Sequence, residues 1–95
     1  MMKILGRDKL EKFWKRHTDS KGALQAWFED AQSHSWTTSQ NIKDRYRSAS
    51  FLSGNRVIFN IKGNRYRLVV KVRYQNGIVL IEWVGTHAEY DKLIF

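Results

Sequence analysis

The chain is predicted to fold as a single α+β domain over residues 1–95. Two N-terminal helices pack on one face of a small antiparallel β-sheet, and a short helix closes the C-terminus. Three observations predict this. Apolar residues recur at helical spacing before residue 32, two alternating stretches are broken by Gly-Asn and Asn-Gly, and a capping box follows the second stretch. Ninety-five residues with 42% hydrophobic and 14% aromatic content can fill one modest core.

"MKIL" reads as a short strand. From Asp8, the spacing Leu10, Phe13, Trp14, His17 marks an amphipathic helix with Lys9, Lys12, Lys15 and Arg16 outward and His17 packed on the apolar side. "HTDSKG" interrupts it, and Asp19 or Ser20 is placed to cap a second helix that buries Leu24, Trp27, Phe28 and Ala31. His34 sits at the end of that helix, where a cation complements the dipole. Ser35 to Asn55 is polar enough to read as a mobile surface segment, with one helical turn near Ile42–Tyr46.

Gly63-Asn64 and Asn76-Gly77 read as two-residue hairpin turns, which sets the pairing. The first hairpin opposes Ile61 to Tyr66, Asn60 to Arg67, Phe59 to Leu68, Val57 to Val70 and Arg56 to Lys71. The second opposes Tyr74 to Val79, Arg73 to Leu80, Val72 to Ile81, Lys71 to Glu82 and Val70 to Trp83. Because strands alternate sides, one face gathers Val57, Phe59, Ile61, Tyr66, Leu68, Val70, Val72, Tyr74, Val79, Ile81 and Trp83 for the core. The other gathers Lys62, Arg65, Arg67, Lys71 and Arg73, with Arg56, Asn60 and Glu82 beside them. Ile58, Val69, Leu80 and Val84 are expected among these charges, a mixed patch suited to a covering partner.

Thr86-His87-Ala88-Glu89 forms the capping box after Gly85 lets the strand turn sharply. The helix beginning at His87 sets His87, Tyr90 and Asp91 on one side, and its first amides are expected to be free for a phosphate. That dipole end also disfavours imidazolium, leaving His87 available as a base. Plainer roles stand beside these. Capping alone accounts for Glu89, Lys71 and Glu82 suit a cross-strand ion pair, Tyr90 suits edge packing, and Asp91 and Lys92 suit a solvated face.

Seventeen Lys+Arg against nine Asp+Glu give a net charge of +8, which points to a polyanionic partner. The absence of cysteine removes disulfides and thiolate chemistry and fits a reducing cytoplasm. No apolar run has membrane-spanning length and no signal peptide is evident, so a cytoplasmic protein without membrane partners is expected. Three scattered histidines form no ligand set, so no metal site or cofactor is expected. What remains suits metal-independent RNA cleavage. The 2′-OH attacks the adjacent phosphorus, imidazole or phenol moves protons, and arginine holds the non-bridging oxygens.

"RVIFNIKGNRYRLVVKVRY" followed by "VGTHAEYDK" resembles the HigB branch of the RelE-like toxins of type II toxin–antitoxin systems. The resemblance runs from "ALQAWF" through "YRSASFLSGNRVIFNI" to the end of the chain. It implies a RelE-like microdomain, cleavage of mRNA on the translating ribosome (an mRNA interferase), and neutralisation by a HigA-type helix-turn-helix antitoxin. Carried onto this sequence, it implies catalytic roles for Arg67, Lys71, His87 and Tyr90. Arg56, Lys62, Arg65, Arg73 and Lys92 are the expected RNA-binding residues on and beside the basic face. Two other functions fit the same composition: a non-enzymatic nucleic-acid-binding module, and a ParE-like inhibitor of gyrase on the same scaffold.

Overall fold

A computed structural model describes residues 1–93. Its elements run β1 (Lys3–Leu5), α1 (Arg7–Arg16), a 3₁₀ turn (Thr18–Ser20), α2 (Lys21–Ser33), α3 (Ser39–Arg45), β2 (Ser50–Leu52), β3 (Arg56–Ile61), β4 (Tyr66–Arg73), β5 (Ile78–Thr86) and α4 (His87–Asp91). The sheet order is β1-β5-β4-β3-β2, with β1 parallel to β5 and every other pair antiparallel. The α+β class is as expected, but the sheet is mixed rather than wholly antiparallel. Hairpin signals reveal only neighbours in sequence, and β1 reaches β5 by a long connection.

Gly6 makes the β1–α1 turn. Its φ of 94° lies in the left-handed region, and a Cβ there would come within 3.0 Å of the Ile81 carbonyl oxygen. Helix α1 buries Leu10 and Trp14, and α2 buries Leu24, Trp27, Phe28 and Ala31. His17 stacks on Phe13 at 4.4 Å between ring centroids, a packed histidine. His34 closes α2 through Nδ1, which lies 2.6 Å from the Asp30 carbonyl oxygen. Neither expected side chain caps α2. The Ser20 hydroxyl donates to the His17 carbonyl at 2.7 Å, and Asp19 turns to the sheet, accepting from Tyr66 and Arg65.

The segment expected to be a mobile loop is anchored. Trp36, Ile42 and Ala49 are buried, and Trp36 stacks with Phe59. A capping box joins Thr38 and Asn41 at the start of α3. Arg45 donates twice to Asp30, and the Tyr46 hydroxyl donates to the same carboxylate. Those partners lie on α2, so local polarity could not reveal them.

The first hairpin pairs as expected, from Ile61 opposite Tyr66 to Arg56 opposite Lys71, although Lys62 and Gly63 are the left-handed turn residues. The second does not. A four-residue loop, Tyr74–Gly77, replaces the two-residue turn, so Arg73 meets Ile78, Lys71 meets Leu80 and Val70 meets Ile81. This shift of two keeps Val79 and Ile81 in the core. A bulge at Glu82 then shifts the register by one, and Trp83 meets Val69, Val84 meets Leu68 and Gly85 meets Arg67. Trp83 therefore lies on the outer face and Val84 packs against the core, the reverse of the expectation. The predicted Lys71–Glu82 pair is not formed; Glu82 accepts from Arg56 Nε at 2.8 Å. The expected apolar patch shrinks as well. Ile58 and Val69 are buried, and Leu80 is the member left exposed.

Two outcomes test this packing. Trp36→Ala, which empties the space between Phe59 and Tyr46, should cost about 3–5 kcal/mol in chemical denaturation. Asp30 is held below its ordinary value of 3.8 chiefly by its hydrogen bond with Arg45, and Asp19 likewise by Tyr66. Depressed carboxyls stabilise the fold fully above the ordinary value and lose that contribution as pH falls through the lowered one. The thermal midpoint should therefore drop as pH falls below 3.8, and Asp30→Asn should reduce the size of that drop.

Candidate active site

The site is built on β4 and α4. The Thr86 hydroxyl accepts from the Glu89 amide at 3.1 Å, and Glu89 Oε1 accepts from the Thr86 amide at 2.8 Å. That reciprocal cap holds the Glu89 carboxyl below its usual range, the Thr86 amide being the main cause. The His87 amide donates to the Arg65 carbonyl at 3.1 Å. The His87 and Glu89 amides, expected to await a phosphate at this helix start, are thus used internally.

So fixed, α4 lays Tyr90 over the outer face. The Arg67 guanidinium carbon lies 5.0 Å from the centre of the Tyr90 ring, and Trp83 meets the same ring at 6.0 Å. Gly85 makes this possible, because a Cβ there would fall 2.4 Å from the Trp83 indole. Arg67 Nε is buried and has no hydrogen-bond acceptor among the described residues. A dry guanidinium nitrogen without an acceptor is costly, and an anionic oxygen is the group that would satisfy it. His87 Nδ1 lies 3.3 Å from Asp91 Oδ2, as the i, i+4 spacing requires. The Asp91 carboxylate therefore stands beside Nδ1, and Nε2 has no protein partner among the described residues. Beside them a groove of about 360 Å³ is lined by Leu52, Ser53, Arg56, Tyr90, Asp91 and Leu93.

The residues predicted for function separate into three places. Arg67, Tyr90, His87 and Arg56 stand around α4 and its groove. Lys71 and Arg73 lie toward the far end of β4, lining a groove of about 450 Å³ with Leu5, Asn76, Ile78 and Leu80. Lys71 is six residues along β4 from Arg65, whose carbonyl binds His87, and at ~3.3 Å per residue that is about 20 Å of strand. That separation sets Lys71 beside the far groove rather than the groove at α4. Lys62 and Arg65 are drawn to Asp19, at 3.6 and 2.8 Å, at the helical edge of the sheet. Lys92 is exposed just past α4. Trp83 escaped notice in the sequence because the bulge that turns it outward leaves no mark in the alternation of "GIVLIEWVG".

No helix among the described residues is long and apolar enough to cross a membrane, and no cluster of three or more His, Cys, Asp or Glu is placed to hold a metal. Comparison with curated proteins finds no match. A family model, HigB_toxin, described as a RelE-like toxic component of a toxin–antitoxin system, matches residues 20–93. That span takes in α2, the whole β2–β5 sheet and the capped α4 with its tyrosine. The chain belongs to the HigB toxin family, as the toxin of a toxin–antitoxin system whose partner is an antitoxin.

Proposed function

We propose that this toxin is a ribosome-dependent endoribonuclease that cuts translated mRNA without a metal. The observation that carries the reading is Arg67, whose buried Nε has no acceptor among the described residues and whose guanidinium lies under the ring of Tyr90, on the same short helix as the His87–Asp91 pair. In this mechanism the 2′-oxygen attacks its own phosphorus while a base removes its proton. A phosphorane forms, and the 5′-oxygen leaves with a proton, giving a 2′,3′-cyclic phosphate and a 5′-hydroxyl. Arg67 neutralises the charge gathering on the non-bridging oxygens, where a placed donor acts most strongly. His87 Nε2 and the Tyr90 hydroxyl are the proton-moving groups at this end of the sheet. Because DNA lacks the 2′-hydroxyl, the chemistry is restricted to RNA.

Lys71 and Arg73 then hold flanking phosphates along the sheet, a role that needs charge near the backbone rather than convergence on one linkage, while Arg56 contributes less because Glu82 already answers its charge. Lys71 moves from the catalytic group to this one on the strength of its position. Lys62 and Arg65 contribute less, because Asp19 already answers their charge. The net charge of +8 favours docking on a polyanion as large as the ribosome. The antitoxin, read as a HigA-type helix-turn-helix protein, would silence this chemistry in the cell.

The test is cleavage of translated mRNA after brief induction, read by sequencing of transcript ends. Arg67→Ala should lower cleavage by about 10²–10³-fold and His87→Ala by at least about 10²-fold, with thermal midpoints near wild type. Tyr90→Phe separates the hydroxyl from the ring: a loss matching Tyr90→Ala assigns the hydroxyl a proton-moving role. Lys71→Ala should raise the protein concentration needed for cleavage while leaving the saturated rate almost unchanged. Intact transcripts with arrested replication would favour a gyrase inhibitor. Intact transcripts with RNA binding lost through Arg67→Ala would favour a simple binding module.

A further inference from the structure

Helix α1 presents Lys9, Lys12 and Arg16 on one flank, at i, i+3 and i+7, and all three are exposed. They face the upper half of β5, which is an open sheet edge because β1 ends where Leu5 pairs with Leu80. Between helix and edge runs a groove of about 360 Å³, floored by Phe13 and walled by Glu82 and Trp83. The Lys9 ammonium donates to the Glu82 carbonyl at 3.2 Å, while the Glu82 carboxylate is occupied by Arg56. Among the described residues, none of the three cations has a carboxylate at ion-pair distance.

Trp83 is the tryptophan of this chain that is not buried; Trp14, Trp27 and Trp36 are 8%, 3% and 2% exposed. Its indole meets Tyr90, which covers Arg67, so the groove continues from the candidate active site. A partly exposed π-face beside three exposed cations that form no salt bridge among the described residues is the combination that tracks a single strand, with phosphates on the cations and a base on the ring. A lipid surface would call for apolar side chains on the outward flank of α1, which is charged instead. Helix α1 also lies outside residues 20–93, the part matched by the family model.

We propose that the groove between α1 and the Trp83 edge of β5 binds single-stranded RNA, with Lys9, Lys12 and Arg16 on its phosphates and Trp83 stacked on one base. The choice of RNA rests on the ribonuclease reading; the groove itself does not. The probe is a short single-stranded 2′-O-methyl RNA, whose blocked 2′-oxygen prevents cleavage. It is titrated at several salt concentrations and followed by tryptophan fluorescence and by the anisotropy of a terminal label. Binding should quench the Trp83 emission. The triple variant K9A/K12A/R16A should bind at least about tenfold more weakly, with the slope of log K against log salt flattened by about 2, as expected for three lost phosphate contacts. Trp83→Ala should weaken binding about tenfold without altering the slope, and Trp83→Phe should restore most of it. Wild-type affinity and slope in the triple variant would overturn the proposal, as would duplex RNA binding as tightly and quenching as strongly as the single strand. Because the probe cannot be cut, the two readings fail separately. An Arg67→Ala variant that still cleaves translated message would defeat the active-site reading and leave the groove standing, and an unaltered triple variant would do the reverse.

Discussion

Strand β5 meets β4 in two registers joined at Glu82, with Val70 opposite Ile81 on one side of the bulge and Val69 opposite Trp83 on the other. One extra residue on β5 reverses which side chains face out. Without it, Trp83 would enter a core already filled by Leu68, Val70 and Phe59, and Val84 would take its place outside. With it, the indole lies over Gly85 on the outer face and α4 seats Tyr90 against it. The same bulge turns the Glu82 carboxylate toward Arg56 and its carbonyl toward Lys9. The outer face thus owes its aromatic lid, its Glu82–Arg56 tie and its link to α1 to a single irregularity, the kind of device that re-aims side chains beside functional sites.

A charge of +8 says little until the cations are sorted by what already answers them. Asp19 engages Lys62 and Arg65, Asp30 engages Arg45, and Glu82 engages Arg56. These acids pin the edges of the sheet to the helices and remove nearby cations from competition for a ligand. Lys71, Arg73, Lys9, Lys12 and Arg16 have no such partners among the described residues; Lys71 and Arg73 line the groove toward the far end of β4, and Lys9, Lys12 and Arg16 line the groove beside Trp83. Asp19, Asp30 and Glu82 thus help decide which cations on these elements remain open to a ligand.

The helices were legible because each carries enough apolar period and little competing signal; Leu10, Trp14, Leu24 and Trp27 all point inward as their spacing requires. The first hairpin was legible because its turn and its alternation agree. The capping box at Thr86 was legible because its chemistry is local. What the sequence concealed is non-local or irregular. Strand β1 pairs with a partner far along the chain, and α3 is held by an aspartate on α2. The β4–β5 loop spans four residues where Asn-Gly suggested two, an error of two that spares the faces. The bulge is an error of one, and it does not. The candidate site followed the same division. Spacing placed His87, Tyr90 and Asp91 on one side of the last helix and Arg67 on the basic face, and the resemblance implied the roles of Arg67, His87 and Tyr90, whereas the dry Nε of Arg67 and the position of Trp83 depend on the register.

That division bears on how such a site works. Arg67 and the groove cations carry the same charge in different settings, and the setting decides the role. An exposed lysine on α1 is fully hydrated, gives up little to meet a phosphate, and exchanges that phosphate for salt ions readily. Arg67 has already lost water at Nε, so its attraction for an oxyanion is strengthened by the low-dielectric surroundings of Tyr90 and Trp83 and is weakly screened. In the proposed function, salt would therefore govern how often RNA arrives, while the step after arrival would depend on one guanidinium covered by the capped helix. A surface built only from solvated cations would bind any polyanion and transform none. Under the proposed ribonuclease function, burying one of them beneath an aromatic lid, at a cost in stability the apolar core can offset, is what would separate a cutting site from a sticky face.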